Sequence, residues 1–189
     1  GLWALTAFAS MALMRSFSPH YFIPLVPPLA ILASPALEAM RRFAIFIVAL
    51  AAIVGQILVG FFAWSKGGRE TMDHLVAAIG PAPRCIFVFD GFPALYSETR
   101  SCLPGRVLFP GMLNGAMEAK ALGVDPVVEV ERIMATKPDA VITDWPLWSL
   151  RNLDTNRVVD RELKAHYVLA LKEETGEGRF RMVWRRKDR

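Results

Sequence analysis

Two patterns divide the chain. Through residue 66 apolar residues run almost unbroken; beyond it they recur at the spacings of helices and strands. Residues 43–64, FAIFIVALAAIVGQILVGFFAW, hold no charge and a single amide, Gln56. As a helix they extend about 33 Å, enough to cross a hydrocarbon core of about 30 Å. Arg41 and Arg42 stand at one end, and Phe61, Phe62, Trp64 and Lys66 at the other, where interfacial anchors belong. Residues 21–37 are also uncharged, but Pro24, Pro27, Pro28 and Pro35 argue against a regular helix. A span broken by proline needs neighbouring helices to satisfy its freed carbonyls, which places it in a larger bundle. Residues 1–14 are apolar but short for a span. The pattern predicts two to three membrane-spanning helices over 1–66. The chain starts at Gly1 with no basic leader, so the expectation is a helix cut at its start and a C-terminal piece of a larger membrane protein.

From residue 67 onward the periods predict an α/β domain. Met72, Leu75, Val76 and Ile79 share one helical face, and Gly80-Pro81 ends that helix. CIFVFD (85–90) and DAVITDW (139–145) are apolar runs of the kind found in strands covered on both faces. GFPALYSE turns into a short helix, RVLF (106–109) predicts another short strand, and LNGAMEAKAL (113–122) a helix ending at Gly123. Asp125-Pro126 supplies an N-cap and a proline at the first helical position. A helix over about 155–165 follows. HYVLALKEE and RFRMVWRRK flank Thr175-Gly176-Glu177-Gly178, a hairpin signal. Alternating strands and helices predict three layers around a mostly parallel sheet, with the C-terminal antiparallel hairpin at its edge. The basic face of the last strand, Arg179, Arg181 and Arg185, reads as a solvated edge.

Charge follows the same division. Residues 1–66 carry four bases and one acid, and the remainder eighteen bases and seventeen acids. The net charge of +4 is not gathered into a basic stripe, and no nucleic-acid-binding motif is present. Because Arg41 and Arg42 sit in the short link 38–42, that link is expected on the cytoplasmic side. Loop 15–20 and everything after residue 66 then lie outside the cytoplasm, in a bacterium in the periplasm.

Candidate chemistry is sparse. There is no Gly-rich phosphate loop, zinc-ligand spacing or nucleophile elbow. Arg15, His20 and Tyr21 place a fixed cation, a titratable imidazole and a phenol at the mouth of the proline-rich span. Two readings stand: membrane anchoring, with arginine snorkelling to headgroup depth, and an anion site for a lipid phosphate. Asp90 and Asp144 fall at the carboxyl ends of the two apolar strands, where ligands bind open parallel sheets, although both also suit turns and caps. Cys85 and Cys102 are either a disulfide of an oxidising compartment or two free thiols.

The segment RSFSPHYFIPLVPPLAILA, residues 15–33, resembles a stretch of bacterial membrane glycosyltransferases of the GT-C type. These are relatives of the protein mannosyltransferases and the aminoarabinose lipid A transferase. In that group a late proline-containing helix is often followed by one more helix and a soluble α/β domain. The parts of that domain are similar to Cys85–Asp90, Pro93–Tyr96, Lys137–Ile142 and Val183–Arg186. The resemblance covers nearly the whole chain through degenerate motifs in a constant order. It implies transfer of a sugar from a polyprenyl-phosphate donor to a lipid, glycan or protein acceptor at the outer face, in the plasma membrane of a bacterium. By resemblance Arg15, His20 and Tyr21 hold the donor phosphate, and a divalent metal is a cofactor the family allows. The family's catalytic acid lies in the first extracytoplasmic loop. No residue here matches it, so the implied chain is the back part of an enzyme, inactive alone. The alternative is a membrane-anchored α/β module that binds a ligand or partner without catalysis.

Overall fold

The computed structural model describes residues 2–13, 19–117, 123–147 and 150–188. They form two units, Gly1–Val59 and Gly60–Arg189, divided inside one long helix. In the first unit α1 spans Leu2–Leu13. A 3-10 helix, Pro19–Leu25, leads into α2, Val26–Ala39. The stretch 21–37 is irregular as expected through Leu25, where Pro24 lies inside the 3-10 helix, but from Val26 onward it is a regular helix despite Pro27, Pro28 and Pro35. Pro27 and Pro28 occupy its first turn, where backbone N–H groups have no helical partner to lose. Pro35 removes the bond that the Ile31 carbonyl would accept, and the Ser34 hydroxyl replaces it by donating to that carbonyl at 2.9 Å. At this carbonyl the repair comes from within the helix itself.

Met40 alone separates α2 from α3, Arg41–Lys66. The expected link 38–42 is thus a one-residue break. Phe22–Ala39 and the apolar part of α3 are long and apolar enough to cross a membrane.

The second unit contains a four-stranded sheet: β1 (Ile86–Val88), β2 (Ala140–Trp145), β3 (Tyr167–Thr175) and β4 (Arg179–Arg186), in the order β1-β2-β4-β3. Only β1 and β2 are parallel; β4 pairs antiparallel with both β2 and β3. The sheet is therefore mixed rather than mostly parallel. Its final hairpin also contributes an interior strand as well as an edge, because β4 inserts between β2 and β3.

Helices cover both faces. On one side α4 (Arg69–Ile79) and α5 (Leu95–Glu98) pack through Leu75, Ile79 and Leu95 on Ile86, Val88, Ile142 and Val183. On the other, α6 (Gly111–Asn114), α7 (Pro126–Ala135) and α8 (Leu153–His166) pack through Leu113, Ile133 and Val159 on Phe87, Phe89 and Val141. Neighbouring residues of each strand thus enter opposite cores, as the period of two requires.

The caps explain the boundaries. The Asp125 carboxylate accepts from the Val127 amide at 2.8 Å and starts α7. The Asn152 side chain accepts from the Asp154 amide at 3.1 Å and starts α8.

Two expected elements differ. Residues 106–109 form no strand, because this segment is fastened to α7 instead of to the sheet. The Arg106 amide donates to Glu129, and Arg132 reaches the Pro104 carbonyl at 3.3 Å. The helix expected at 113–122 ends at Asn114, where Gly115 turns extended and bridges Arg151. Positions 118–122 lie outside the described residues. Strand β1 is shorter than 85–90, since the Phe89 and Asp90 amides share the Ile142 carbonyl and the ladder stops there.

Candidate functional site

The carboxyl ends of β1 and β2 bring Asp90 and Asp144 to one edge of the sheet. Each is taken by an arginine from a distant part of the sequence. Arg151, just before α8, pairs with Asp90, and Arg181, on β4, pairs with Asp144. Both arginine side chains are almost fully enclosed, at 4% and 7% exposure. Arg151 also donates to the Asn156 side-chain oxygen at 3.1 Å. Arg181 donates to the Lys66 carbonyl at 3.0 Å and lies 4.1 Å from the centre of the Phe92 ring. Gly91 passes over this group with φ +131°; a Cβ there would sit 3.3 Å from Ile142, and the dihedral itself disfavours any side chain.

Burial drives the electrostatics. Asp144 has its pKa raised to about 6, chiefly by desolvation; the Arg181 charge opposes the shift and the nearby Asp90 charge adds to it. Its Oδ1 is buried with no hydrogen-bond partner among the described residues. The edge is therefore a four-residue cluster of two carboxylates and two guanidiniums. It can change its charge near pH 6 by one proton, at Asp144.

Arg151 and Arg181 are the residues that local pattern missed. A signal existed for Arg181. It shares strand parity with Val183, which is fully buried, so that face is covered at this part of the strand, whereas Arg185 on the same face is exposed. The reading of Arg179, Arg181 and Arg185 as a solvated face fails at Arg181 for that reason. Arg151 carries no comparable local mark; its partner is 61 residues away.

Cys85 and Cys102 are joined in a disulfide with Cα atoms 4.7 Å apart, within the usual range. It clasps the segment that covers the outer edge of β1, where the Val88 amide donates to the Tyr96 hydroxyl oxygen at 3.0 Å. Arg15 lies outside the described residues, and His20 and Tyr21 belong to the 3-10 helix Pro19–Leu25, with their side chains outside the description. Among the described residues no three His, Cys, Asp or Glu side chains converge as a metal would need, and Asp90 and Asp144 are both committed to arginines. An open cleft of about 780 Å³ lies beside the β3–β4 turn. It is lined by Trp64, Thr71, His74, Glu173 and Glu177, and His74 Nδ1 stands 3.1 Å from Glu173. Compared with protein-family models, curated proteins and solved structures, the chain has no significant match.

Proposed function

We propose that this chain serves glycosyl transfer at a bacterial plasma membrane, moving a sugar from a polyprenyl-phosphate donor to an acceptor outside the cytoplasm. The observation that carries the reading is the order of parts. Apolar helices are followed, after Gly67-Gly68, by an α/β domain whose β1, β2 and β4 hold the segments that resemble the GT-C group. Arg15 and His20, with Tyr21, hold the donor phosphate as it leaves, neutralising charge that grows in the transition state. The general acid or base is not among the residues assigned here.

The outward placement of the domain is supported by two independent features. Disulfides persist in oxidising compartments, and Cys85–Cys102 is one. Arg41 and Arg42 favour the cytoplasmic side at the opposite end of α3.

Turnover of a polyprenyl-phosphate-linked sugar, measured per correctly inserted molecule of the complete protein, tests the reading. Arg15→Lys keeps the charge but loses the planar fork, and should reduce turnover; Arg15→Ala should reduce it by roughly a hundredfold. His20→Gln should be milder than His20→Ala. Parent-like turnover in both Arg15 variants would remove the phosphate role and leave membrane anchoring as the function of Arg15.

One observation favours a second reading, a membrane-anchored module that binds a partner or ligand without catalysis. Both carboxylates at the carboxyl edge of the sheet are paired with arginines, so neither Asp90 nor Asp144 stands there as a free carboxylate. Under this reading no donor turnover accompanies the protein.

A further inference from the structure

The end of α3 and the carboxyl edge of the sheet lie side by side within the second unit. The Lys66 carbonyl, at the last residue of α3, accepts from Arg181, which pairs with Asp144. Gly176, in the turn between β3 and β4, approaches so close to Trp64 that a Cβ would stand 2.8 Å from its ring. Trp145 closes β2 opposite Phe180, next to that same turn.

This edge also carries large apolar side chains without cover. Trp145 is 51% exposed and Leu150 52%, with Leu147 and Leu153 also exposed. The Ala116 amide donates to the Leu150 carbonyl at 2.8 Å, which brings exposed Met117 alongside. The amino edge is mixed: Lys187 donates to the Lys164 and Ala165 carbonyls there and Arg84 spreads over Asp139, beside exposed Leu103, Val168 and Leu169. Exposed apolar groups gathered in one place mark an interaction surface.

We infer that the carboxyl edge is the face turned to the bilayer, with Trp145, Leu147 and Leu150 seated in the lipid interface. The occupant follows from the tether. Phe61, Phe62 and Trp64 are exposed at the end of α3, where an aromatic belt meets headgroups. Only Gly67 and Gly68 separate α3 from α4, and two residues extend no more than about 7 Å. The edge bonded to Lys66 is thus held at headgroup depth, where tryptophan and leucine side chains are favoured over water. The Asp90–Arg151 and Asp144–Arg181 pairs brace this edge from inside, joining the ends of β1 and β2 to Leu150 and to β4. This inference rests on reading α3 as a membrane span.

The test uses the full chain reconstituted in phosphatidylcholine vesicles that contain headgroup- or shallow-chain nitroxide lipid. A fluorescent label is placed in turn at Leu147→Cys, Leu150→Cys, Ala165→Cys and Ile53→Cys. Ala165 marks the amino edge and Ile53 the middle of α3. Labelled variants are compared only where trypsin resistance matches the parent. Labels at 147 and 150 should be quenched at least about twofold more than the label at 165, as an interfacial surface requires. The label at 53 should be quenched most by deep-chain nitroxide. Quenching at 53 with positions 147 and 150 equal to 165 would overturn the inference and leave the span intact. No quenching at 53 would overturn the span and the inference together. Labels at 147 and 150 shielded from water but not quenched by lipid would mean that protein covers the edge, which also overturns it.

Discussion

At the amino edge of the sheet Asp139 is held by the backbone: its Oδ2 accepts from the Arg84 amide at 2.7 Å, while the guanidiniums of Arg84 and Arg186 stand farther off, at 3.8 and 4.0 Å. At the carboxyl edge Asp144 is held by a single buried guanidinium. One of its oxygens has no partner among the described residues, and a second carboxylate lies nearby. Both edges use aspartate and arginine. The difference is what neutralises the carboxylate, and it separates a fastening from a charge cluster. A backbone amide cannot leave, and Arg84 is largely solvated, so the amino edge ties β2 to the segment before β1. The carboxyl edge keeps ionised groups in a poor solvent, held at the end of α3.

Alanine substitution should separate the two edges most strongly. Asp144→Ala leaves Arg181 buried and unpaired, and should lower the stability of the unit by about 3–5 kcal/mol. Asp139→Ala leaves one amide unsatisfied beside an exposed arginine, and should cost about 1–3 kcal/mol. Denaturation of the full chain in detergent, followed by tryptophan fluorescence, measures both. An equal or larger loss for Asp139→Ala would show that the amino edge carries the greater strain.

A smaller effect sharpens the comparison through pH. The folded Asp144 takes up a proton near pH 6, the unfolded one near its ordinary 3.8. Between those values the folded chain binds more protons, so stability falls as pH rises through that window. The expected change is about 3 kcal/mol, from about 1.4 kcal/mol for each pH unit. Asp144→Asn has no proton to lose there. The stability of the parent relative to Asp144→Asn should therefore be greatest below about pH 4 and decline until about pH 6. A flat difference across that range would mean that Asp144 is as well solvated as an ordinary surface aspartate.

How far these features could be read from the chain depends on their range. Helix α7 was legible in Asp125-Pro126, because capping and proline placement act within one turn. The hairpin was legible in Thr175-Gly176-Glu177-Gly178, since Glu177 and Gly178 adopt the positive φ that such turns need. The layers followed from apolar spacing. The position of β4 was not legible, because no local feature decides between an edge and an insertion beside β2. Only Val183, buried on the face that also carries Arg181, carried that information. Segment 106–109 has strand-like composition, yet its first amide, that of Arg106, is claimed by Glu129, more than twenty residues away. Pro35 shows the reverse case: a disruptive residue whose remedy, Ser34, stands next to it. At the candidate site Asp90 and Asp144 could be placed by strand position alone. Their arginines could not, since those pairs span 61 and 37 residues.

The glycosyl-transfer proposal requires the α/β domain to lie outside the cytoplasm. Asp160 is exposed on α8, away from both edges, and Asp160→Cys adds one free thiol to a chain whose two cysteines are bonded to each other. Intact spheroplasts are treated with a membrane-impermeant maleimide, before and after lysis. The account predicts full labelling of Asp160→Cys before lysis and none of the parent; labelling of Asp160→Cys only after lysis would contradict it.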